Sequence, residues 1–350
     1  MKAFVLSGGA SKGAFTAGVM RHLIRQGMHQ DFSMAIGTST GSLVGGPALL
    51  GDDNYLNNIY TSVHDPDIYK NSPFFWLINR FKKIGPVDAS MDPLMELLQK
   101  YYIKKHGIDK LTDSGKVFVV TTVNVHSGEV TYVSTKQVAD NEISKETFVR
   151  AIVASCSEPV FTEPIQIFVD ETGSSYQRNL FYDGGVREFL PFQYAMNLGA
   201  EEIWAVSTHQ IKRDITEWGD STSPDKVSLV KALAWTIGTL TNEVERGDLF
   251  RACVGYRLSH IKAEIKKTAG DNNVPAAVTD QLMNICDNMF PGKDMTIPKL
   301  HVITPTTPMK TSLEFDPAVM QNYFADGELD AERYLGRGAP EFDDCVQLLL

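Results

Sequence analysis

Residues 32–41 read Phe32-Ser33-Met34-Ala35-Ile36-Gly37-Thr38-Ser39-Thr40-Gly41. The mostly apolar run up to Ile36 predicts a short buried strand, and the apolar residues that follow Gly41 predict the start of a helix. A G-x-S-x-G sequence between a strand and a helix is typical of a nucleophile elbow, a sharp turn that lifts the serine hydroxyl clear of the backbone. Ser39 is therefore the candidate nucleophile. The alternative is an ordinary glycine-rich turn.

A second glycine-rich loop, Ser7-Gly8-Gly9-Ala10-Ser11-Lys12-Gly13, lies between a predicted strand over residues 2–7 and a predicted amphipathic helix. The loop matches neither the P-loop nor G-x-G-x-x-G, because alanine follows Gly13 and Ala10 stands where the second pattern needs glycine. Free N–H groups at a helix start are suited to holding a negative oxygen. We expect the loop to meet Ser39 at the carboxyl edge of a parallel sheet and form an oxyanion hole, with a structural βα turn as the alternative.

The rest of the chain alternates between predicted strands and helices. Further strands are predicted over residues 117–125, 129–134, 202–207 and 299–304, with two β-like stretches within 165–182. Helices are predicted over residues 53–63, 91–106, 144–155, 229–240, 276–289 and 317–335. No repeat or linker interrupts the pattern, so we expect one domain.

Length and composition exclude several classes of protein. The chain has 350 residues, of which 43% are hydrophobic and 22% charged, as in a soluble globular protein. A net charge of -10 without a long basic stripe argues against general nucleic-acid binding. The four cysteines form no metal-ligand spacing and no EF-hand loop occurs, so we expect no metal and no cofactor.

The membrane signals in the sequence are confined to one segment. No apolar run approaches the roughly 20 residues needed to span a bilayer, so we expect a cytoplasmic protein that meets membranes, if at all, from their surface. Residues 73–83 combine four aromatic side chains with three cations in an otherwise acidic chain. This composition suits a membrane interface or a lid over an apolar pocket. An ordinary packed helix with a basic end is the alternative.

Asp183 is the candidate acid. It follows a β-like stretch and precedes Gly184 and Gly185, a pattern that is common in turns, and its significance changes only when it is paired with Ser39. The α/β-hydrolase order of serine, acid and histidine could be completed by His209, His260 or His301. The chain before Ser39 is too short for that fold, however, and a structural role is the favoured interpretation of each histidine.

Four motifs in order resemble those of the patatin-like phospholipase family. The family has a G-G-G-x-[KR]-G loop, a G-x-S-x-G elbow, an A-S-x-x-x-P-x-x-F-x-P segment and a D-G-[GA] motif. Here they correspond to residues 8–13, 37–41, 154–164 and 183–185, and the late strand at 303–305 is also similar. Each motif is weak alone, but four in the right order are a specific match.

The resemblance implies a fold, a reaction and a site. The fold is a three-layer α/β/α arrangement with a largely parallel central sheet, forming one domain over residues 1–350, with motifs from 7 to 191 and a C-terminal strand and helices at about 299–335. The reaction is hydrolysis of acyl esters of phospholipids or other acyl-glycerols, through an acyl-enzyme and without a catalytic histidine. The implied site has Ser39 as nucleophile, Asp183 as base, an oxyanion hole of Gly8, Gly9 and Ala10, and supporting residues Lys12, Gly13, Gly37, Gly41, Gly184 and Gly185.

Two departures from the family pattern affect the predicted site. Ala10 replaces the third glycine of the loop, which leaves fewer backbone conformations for the oxyanion hole. Phe189-Leu190-Pro191 stands where the family often has Asn-x-Pro, so a supporting polar contact is expected to be missing. Lys12 could orient the loop, attract a lipid phosphate or form a structural ion pair. The competing functions are a soluble carboxylesterase or acyltransferase, and an inactive lipid-binding or regulatory protein.

Overall fold

A computed structural model of the protein describes residues 1–70, 89–168, 179–210, 229–289, 298–309 and 315–339. The predicted lid or membrane segment, residues 73–83, lies outside these ranges. The strands are β1 (Lys2–Leu6), β2 (Phe32–Thr38), β3 (Val117–Asn124), β4 (Val130–Ser134), β5 (Ile165–Gln166), β6 (Leu180–Asp183), β7 (Glu202–Val206) and β8 (Lys299–Ile303). The α-helices are α1 (Gly13–Arg25), α2 (Gly41–Leu50), α3 (Asp53–Thr61), α4 (Asp65–Ile68), α5 (Asp92–Gln99), α6 (Gly107–Asp113), α7 (Thr135–Ala139), α8 (Lys145–Ser155), α9 (Phe192–Asn197), α10 (Leu229–Asp271), α11 (Ala276–Met289) and α12 (Pro317–Gly336).

The eight strands form one mixed sheet in which hydrogen-bonded neighbours follow the path β5-β6-β3-β2-β1-β7-β8, and β4 also pairs with β3. Neighbours from β3 through β2, β1 and β7 to β8 are parallel, whereas β4, β5 and β6 pair antiparallel. Strand β1 therefore lies inside the parallel part, where its residues must be apolar on both sides. This mostly parallel sheet confirms the predicted fold class.

Strand β3 brings two distant parts of the chain together along one edge. Strand β2 pairs with β3 up to Thr38 opposite Thr121, and β6 pairs with β3 up to Asp183 opposite Thr122. Strand β4 occupies the other edge of β3 over the same residues. Strands β2 and β6 must therefore share one edge and meet end to end, at two neighbouring residues of β3.

Helices cover both faces of the sheet. In β1, Phe4 and Leu6 belong to one buried core and Ala3 and Val5 to the other. The first core contains side chains of α1, α2, α8 and α12, and the second contains side chains of α9 and α10. This alternation follows from the two-residue period of a strand and produces the expected three layers.

Local sequence signals account for several helix ends. The Ser144 side chain accepts the Thr147 N–H at the start of α8, and Asp316 accepts the Ala318 N–H at the start of α12. Such caps satisfy N–H groups that have no partner inside the helix. The predicted helix over residues 276–289 matches α11 in both bounds.

Helix α10 is longer than the sequence pattern predicts. The predicted helix ends at residue 240, whereas α10 continues to Asp271 and has 43 residues. The part of α10 beyond residue 240 contains Glu245 and Asp248, which are buried and bond the loops after β7 and β6. These tertiary contacts stabilise a stretch whose own apolar pattern is weak. Within the described ranges, the structure contains no helix with the length and apolar character that crossing a membrane requires.

Candidate active site

Ser39 occupies a strained turn between β2 and α2. Its φ of 54° lies in the left-handed region, which is unfavourable for a residue with a side chain. Both backbone polar groups of Ser39 are hydrogen-bonded. Its N–H donates to Ser155 Oγ at 2.9 Å. Its carbonyl accepts from the Ser42 amide at 2.8 Å and from Cys156 Sγ at 3.2 Å. The strained backbone is therefore held in place by buried hydrogen bonds.

The two glycines of the elbow lie where backbone segments approach closely. A Cβ on Gly37 would lie 2.4 Å from the Gly41 carbonyl oxygen, and a Cβ on Gly41 would lie 2.2 Å from the Leu6 carbonyl oxygen. Both contacts are with backbone atoms that cannot move aside. The G-x-S-x-G spacing therefore lets the turn close on itself and pass directly beside the end of β1.

The loop after β1 touches Ser39. A Cβ on Gly8 would lie 2.2 Å from Ser39 Cβ and 2.8 Å from Ser39 Oγ. Gly9 has a φ of 141° and Ala10 a φ of 48°, so the third position of the loop does require the conformation that glycine adopts most easily. Ala10 adopts it nevertheless, at a cost of about 1–2 kcal/mol.

The amide groups of this loop are available to a ligand. Within the residues that the structure describes, the N–H groups of Gly8, Gly9 and Ala10 meet no hydrogen-bond acceptor. They are followed by a short 3₁₀ turn, Ala10–Lys12, and then by α1. Unpaired N–H groups at such a position favour a negatively charged oxygen.

Asp183 ends β6 and lies near Ser39, whose side chain is close enough to lower the pKa of its carboxyl group. Asp183 Oδ1 accepts the Gly185 amide at 2.7 Å. The side chain is only 6% exposed. Burial raises the pKa of Asp183 from 3.8 to about 7, and the nearby Ser39 side chain and the Gly185 amide oppose that rise in part.

A second carboxyl group lies in the electrostatic field of Asp183. Burial raises the pKa of Glu158 from 4.5 to about 8, and the charge of Asp183 adds to that rise. Burial and the same charge raise the pKa of the Cys156 thiol. The charge of Asp183 therefore favours the neutral forms of Glu158 and Cys156 at neutral pH.

The end of α8 and the residues after it connect the two halves of the site, which the sequence patterns did not predict. Ser155 Oγ accepts the Ser39 amide at 2.9 Å, and the Ser157 carbonyl accepts the Asp183 amide at 2.8 Å. Both serines are fully buried. The A-S-x-x-x-P motif was the only signal in the sequence that could have identified them, and it gave no role to either residue.

The supporting residues of the predicted site surround these groups. Lys12 is 8% exposed and packs near Gly9. Added Cβ atoms on the other supporting glycines would contact the following atoms: Thr40 Oγ1 at 2.5 Å for Gly13, the Thr121 carbonyl oxygen at 2.5 Å for Gly184, and the Phe189 ring at 2.3 Å for Gly185.

The loop after Gly185 does have a polar support. The Phe189 and Leu190 amides donate to the Asp248 carboxylate of α10 at 2.7 and 3.0 Å. This loop therefore has a polar contact although the asparagine of the family pattern is absent. Asp248 supplies it from a helix that lies far along the chain, which the local pattern could not reveal.

The three histidines considered for a triad have other partners. His209 Nδ1 bonds the buried Glu245, His260 packs on Tyr256, and His301 packs on Trp204. Such contacts are typical of structural histidines. No group of His, Cys, Asp or Glu that could hold a metal ion occurs in the described part of the chain.

The comparison with protein families identifies the class of protein. The model of the family described as patatin-like phospholipase matches residues 4–196, more than half of the chain. The chain belongs to this family, which confirms the resemblance seen in the motifs. Membership implies lipid acyl hydrolase activity in general and lipids as the class of substrate.

Comparisons with individual proteins add less. A search of curated proteins finds no match. Among solved structures, the crystal structure of VipD from Legionella pneumophila is similar over 96% of this chain and 67% of VipD, with 13% identity and a TM-score of 0.42. The family assignment therefore rests on the family model.

Proposed function

We propose that the protein is a serine hydrolase that cleaves fatty-acyl esters of phospholipids or other acyl-glycerols, with Ser39 as nucleophile and Asp183 as base. The observation that carries this proposal is that β2 and β6 end at neighbouring residues of β3, which brings Ser39 next to the buried Asp183 carboxyl group. The unpaired amides of the loop at residues 8–10 support it, because Gly8 in this loop lies against the same serine.

Acylation begins with attack of Ser39 Oγ on the ester carbonyl carbon, while Asp183 takes the hydroxyl proton. The carbonyl oxygen becomes negatively charged and is bound by N–H groups of the 8–10 loop. Each well-placed donor of this kind contributes roughly 100- to 1,000-fold in rate. The intermediate then collapses, the bond to the leaving alcohol breaks, and Asp183 returns its proton to that alcohol oxygen.

Deacylation repeats these steps with water. Asp183 removes a proton from a water molecule as its oxygen attacks the acyl carbon of acyl-Ser39. The oxyanion forms against the same amides. When the bond to Ser39 Oγ breaks, Asp183 returns the proton to Ser39 and the fatty acid leaves. No histidine is needed, because a single carboxyl group accepts and returns each proton.

The raised pKa of Asp183 makes this role chemically reasonable. A carboxylate with an ordinary pKa of about 3.9 is a weak base at neutral pH. Because burial raises the pKa of Asp183 to about 7, its carboxylate binds a proton more strongly and is still substantially ionised at neutral pH.

The direct test compares fatty-acid release from phospholipid vesicles and from a soluble p-nitrophenyl ester by wild type, Ser39→Ala, Asp183→Asn and His209→Ala. We expect the first two substitutions to lower turnover by about 10⁴-fold or more, while His209→Ala keeps more than a tenth of it. Loss of all activity in His209→Ala would indicate a triad and contradict the proposal.

The same assay separates the competing functions. Preference for the soluble short-chain ester would favour a carboxylesterase, and acyl transfer to an added alcohol in place of water would favour an acyltransferase. If wild type is inactive and Ser39 does not react with a fluorophosphonate, the protein is a lipid-binding or regulatory member of the family.

Contact of residues 73–83 with a membrane surface is part of the proposal and rests on the sequence. Phe75 and Trp76 are its aromatic centre. Replacing both with serine should weaken binding to vesicles more than hydrolysis of the soluble ester, because only vesicle binding needs an interfacial segment. Equal loss of both activities would contradict this role.

A further inference from the structure

The loop at residues 7–9 is joined to the end of β7 by side chains that continue the strand pairing. The Ser7 amide donates to the Val206 carbonyl at 3.0 Å, and the Thr208 amide donates to Ser7 Oγ at 3.0 Å. The Thr208 hydroxyl then donates to the Gly8 carbonyl oxygen. Thr208 is 1% exposed, so this last bond is shielded from water.

The bond to Gly8 fixes the direction of an amide group. In a planar trans peptide the carbonyl oxygen of one residue and the N–H of the next point to opposite sides. The Thr208 hydroxyl holds the Gly8 carbonyl on the β7 side. The N–H of Gly9 is therefore directed away from β7, and it meets no acceptor within the described residues.

We propose that Thr208 is a positioning residue that aims the Gly9 amide at the oxyanion of the reaction. This inference rests on the proposed function, because it assumes that the 8–10 loop binds the oxyanion formed at Ser39. Thr208 itself touches the loop and not the reacting atoms. Its hydroxyl acts by preventing the Gly8–Gly9 peptide from rotating.

The conformation of Gly9 agrees with this role. Its φ is 141°, and a Cβ on it would lie 2.6 Å from Thr208 Oγ1. The glycine is therefore required both by the backbone conformation and by the close approach of the hydroxyl. The loop and the Thr208 hydroxyl therefore contact each other at the Gly8–Gly9 peptide, whose orientation sets the direction of the Gly9 N–H.

A buried network holds Thr208 in turn. The preceding residue, Ser207, donates through Oγ to Glu245 Oε1 at 2.5 Å, and His209 Nδ1 bonds the other oxygen of the same carboxyl group. Glu245 is 1% exposed. The Glu245 carboxyl group on α10 thus bonds the residues on both sides of Thr208, Ser207 and His209. This gives a structural role to a buried acid that the proposed chemistry does not use.

The test uses Thr208→Val, which removes the hydroxyl and keeps the shape, and Thr208→Ser, which keeps the hydroxyl. Thr135→Val is the matched control, because Thr135 is also 1% exposed and its hydroxyl also bonds a backbone group, the Phe118 amide at 2.9 Å. Ser39→Ala defines the background. We would measure kcat and KM on the soluble ester, the rate of fluorophosphonate labelling, and the melting temperature of each variant.

We expect Thr208→Val to lower kcat by roughly 10- to 100-fold, somewhat less than removal of an oxyanion donor, with KM changed less than twofold. Labelling by the fluorophosphonate should slow in parallel, because its phosphonyl oxygen uses the same amides. Thr208→Ser should restore at least a third of kcat. Thr135→Val should lower the melting temperature and leave kcat within twofold.

Three results would overturn the proposal: kcat within twofold of wild type in Thr208→Val, a rise in KM alone, or equal losses of kcat in Thr208→Val and Thr135→Val. If Thr208→Val does not fold, Thr208→Ala is measured against the same criteria. If turnover persists in Ser39→Ala, the proposed function itself fails. That failure is distinguishable because it does not depend on any Thr208 variant.

Discussion

Ser39 lies at the end of a parallel strand and Asp183 at the end of an antiparallel one, and the two are held in different ways. Around Ser39, backbone segments approach so closely that a methyl group on Gly8 or Gly41 would overlap neighbouring atoms. Asp183 is held by hydrogen bonds and by burial, and burial raises its pKa to about 7. The first region should therefore be sensitive to added volume, and the second to changes in charge and pH.

The largest effect is expected from adding volume to the first region. Gly8→Ala would place a Cβ 2.2 Å from Ser39 Cβ, so the loop or the elbow must shift. We expect turnover of the soluble ester to fall by at least about 1,000-fold, since nucleophile and oxyanion donors both lose their positions. Gly270→Ala in α10 is the control, because nothing lies within 4 Å of its added Cβ. Wild-type turnover in Gly8→Ala would disprove the close contact.

The second region should respond to pH. Under the proposed mechanism catalysis needs the Asp183 carboxylate, so kcat/KM should rise about tenfold per pH unit below its pKa of about 7 and level off above it. A profile that levels off near pH 4 would contradict a buried base. Measuring in the Glu158→Gln background removes the second carboxyl group, whose pKa of about 8 lies close by.

The free energy of unfolding should also depend on the protonation of Asp183. The raised pKa of this carboxyl group fixes the direction in which stability changes with pH. Because the folded-state pKa is higher than the ordinary 3.8, the folded protein binds the proton more tightly between pH 3.8 and about 7. The free energy of unfolding should therefore decline as pH rises through this window, by up to about 1.4 kcal/mol per pH unit. Asp183→Asn should lack this contribution, which urea titrations of both proteins at several pH values would measure. If the free energies of unfolding of wild type and Asp183→Asn changed with pH in the same way, the predicted contribution of Asp183 would be refuted.

A smaller effect is expected from the segment that connects the two regions. Ser155→Ala would leave the buried Ser39 amide without its acceptor. This should lower the free energy of unfolding by about 1–3 kcal/mol and reduce kcat by about tenfold, because the strained elbow loses one of its ties. Ser144→Ala, which removes a helix cap away from the site, is the control and should affect stability alone. An unchanged kcat in Ser155→Ala would show that glycine contacts alone hold the elbow.

The smallest effect is expected at Ala10. Replacing it with glycine removes about 1–2 kcal/mol of left-handed strain but adds about 0.5–1 kcal/mol of backbone entropy loss. Ala10→Gly should therefore stabilise the protein slightly, by about 0.5 kcal/mol on balance. Chemical denaturation would detect it. Clear destabilisation would mean that the Ala10 methyl group makes a packing contact that outweighs the strain.

Local patterns were sufficient to predict most of the fold. The strand, elbow and helix around Ser39, the glycine loop before α1 and both bounds of α11 follow from apolar periodicity and glycine placement over short stretches. The family motifs then placed Asp183 together with Ser39 before any contact was known. Each of these features is encoded within about a dozen residues.

The contacts that sequence could not predict join residues that are far apart in the chain. Ser155 and Ser39 are separated by 116 positions, and Thr208 and Gly8 by 200. Asp248 supports a loop 59 positions away. A serine, a threonine and an aspartate give no pattern of their own, so their roles depend on the folded topology. The pKa of Asp183 likewise depends on burial, which no local pattern encodes.

The meeting of β2 and β6 on one edge of β3 makes the spacing of Ser39 and Asp183 depend on strand register and not on the number of residues between them. Two adjacent residues, Thr121 and Thr122, set that spacing. Outside residues 155–157, which bond Ser39 and Asp183, the segment from β4 to β6 can therefore lengthen or shorten without moving Asp183, provided that β6 keeps its register. A slip of one residue would displace Asp183 by about 3.3 Å and turn its side chain to the other face of the sheet. Changes of length elsewhere in this segment therefore leave the positions of Ser39 and Asp183 unchanged.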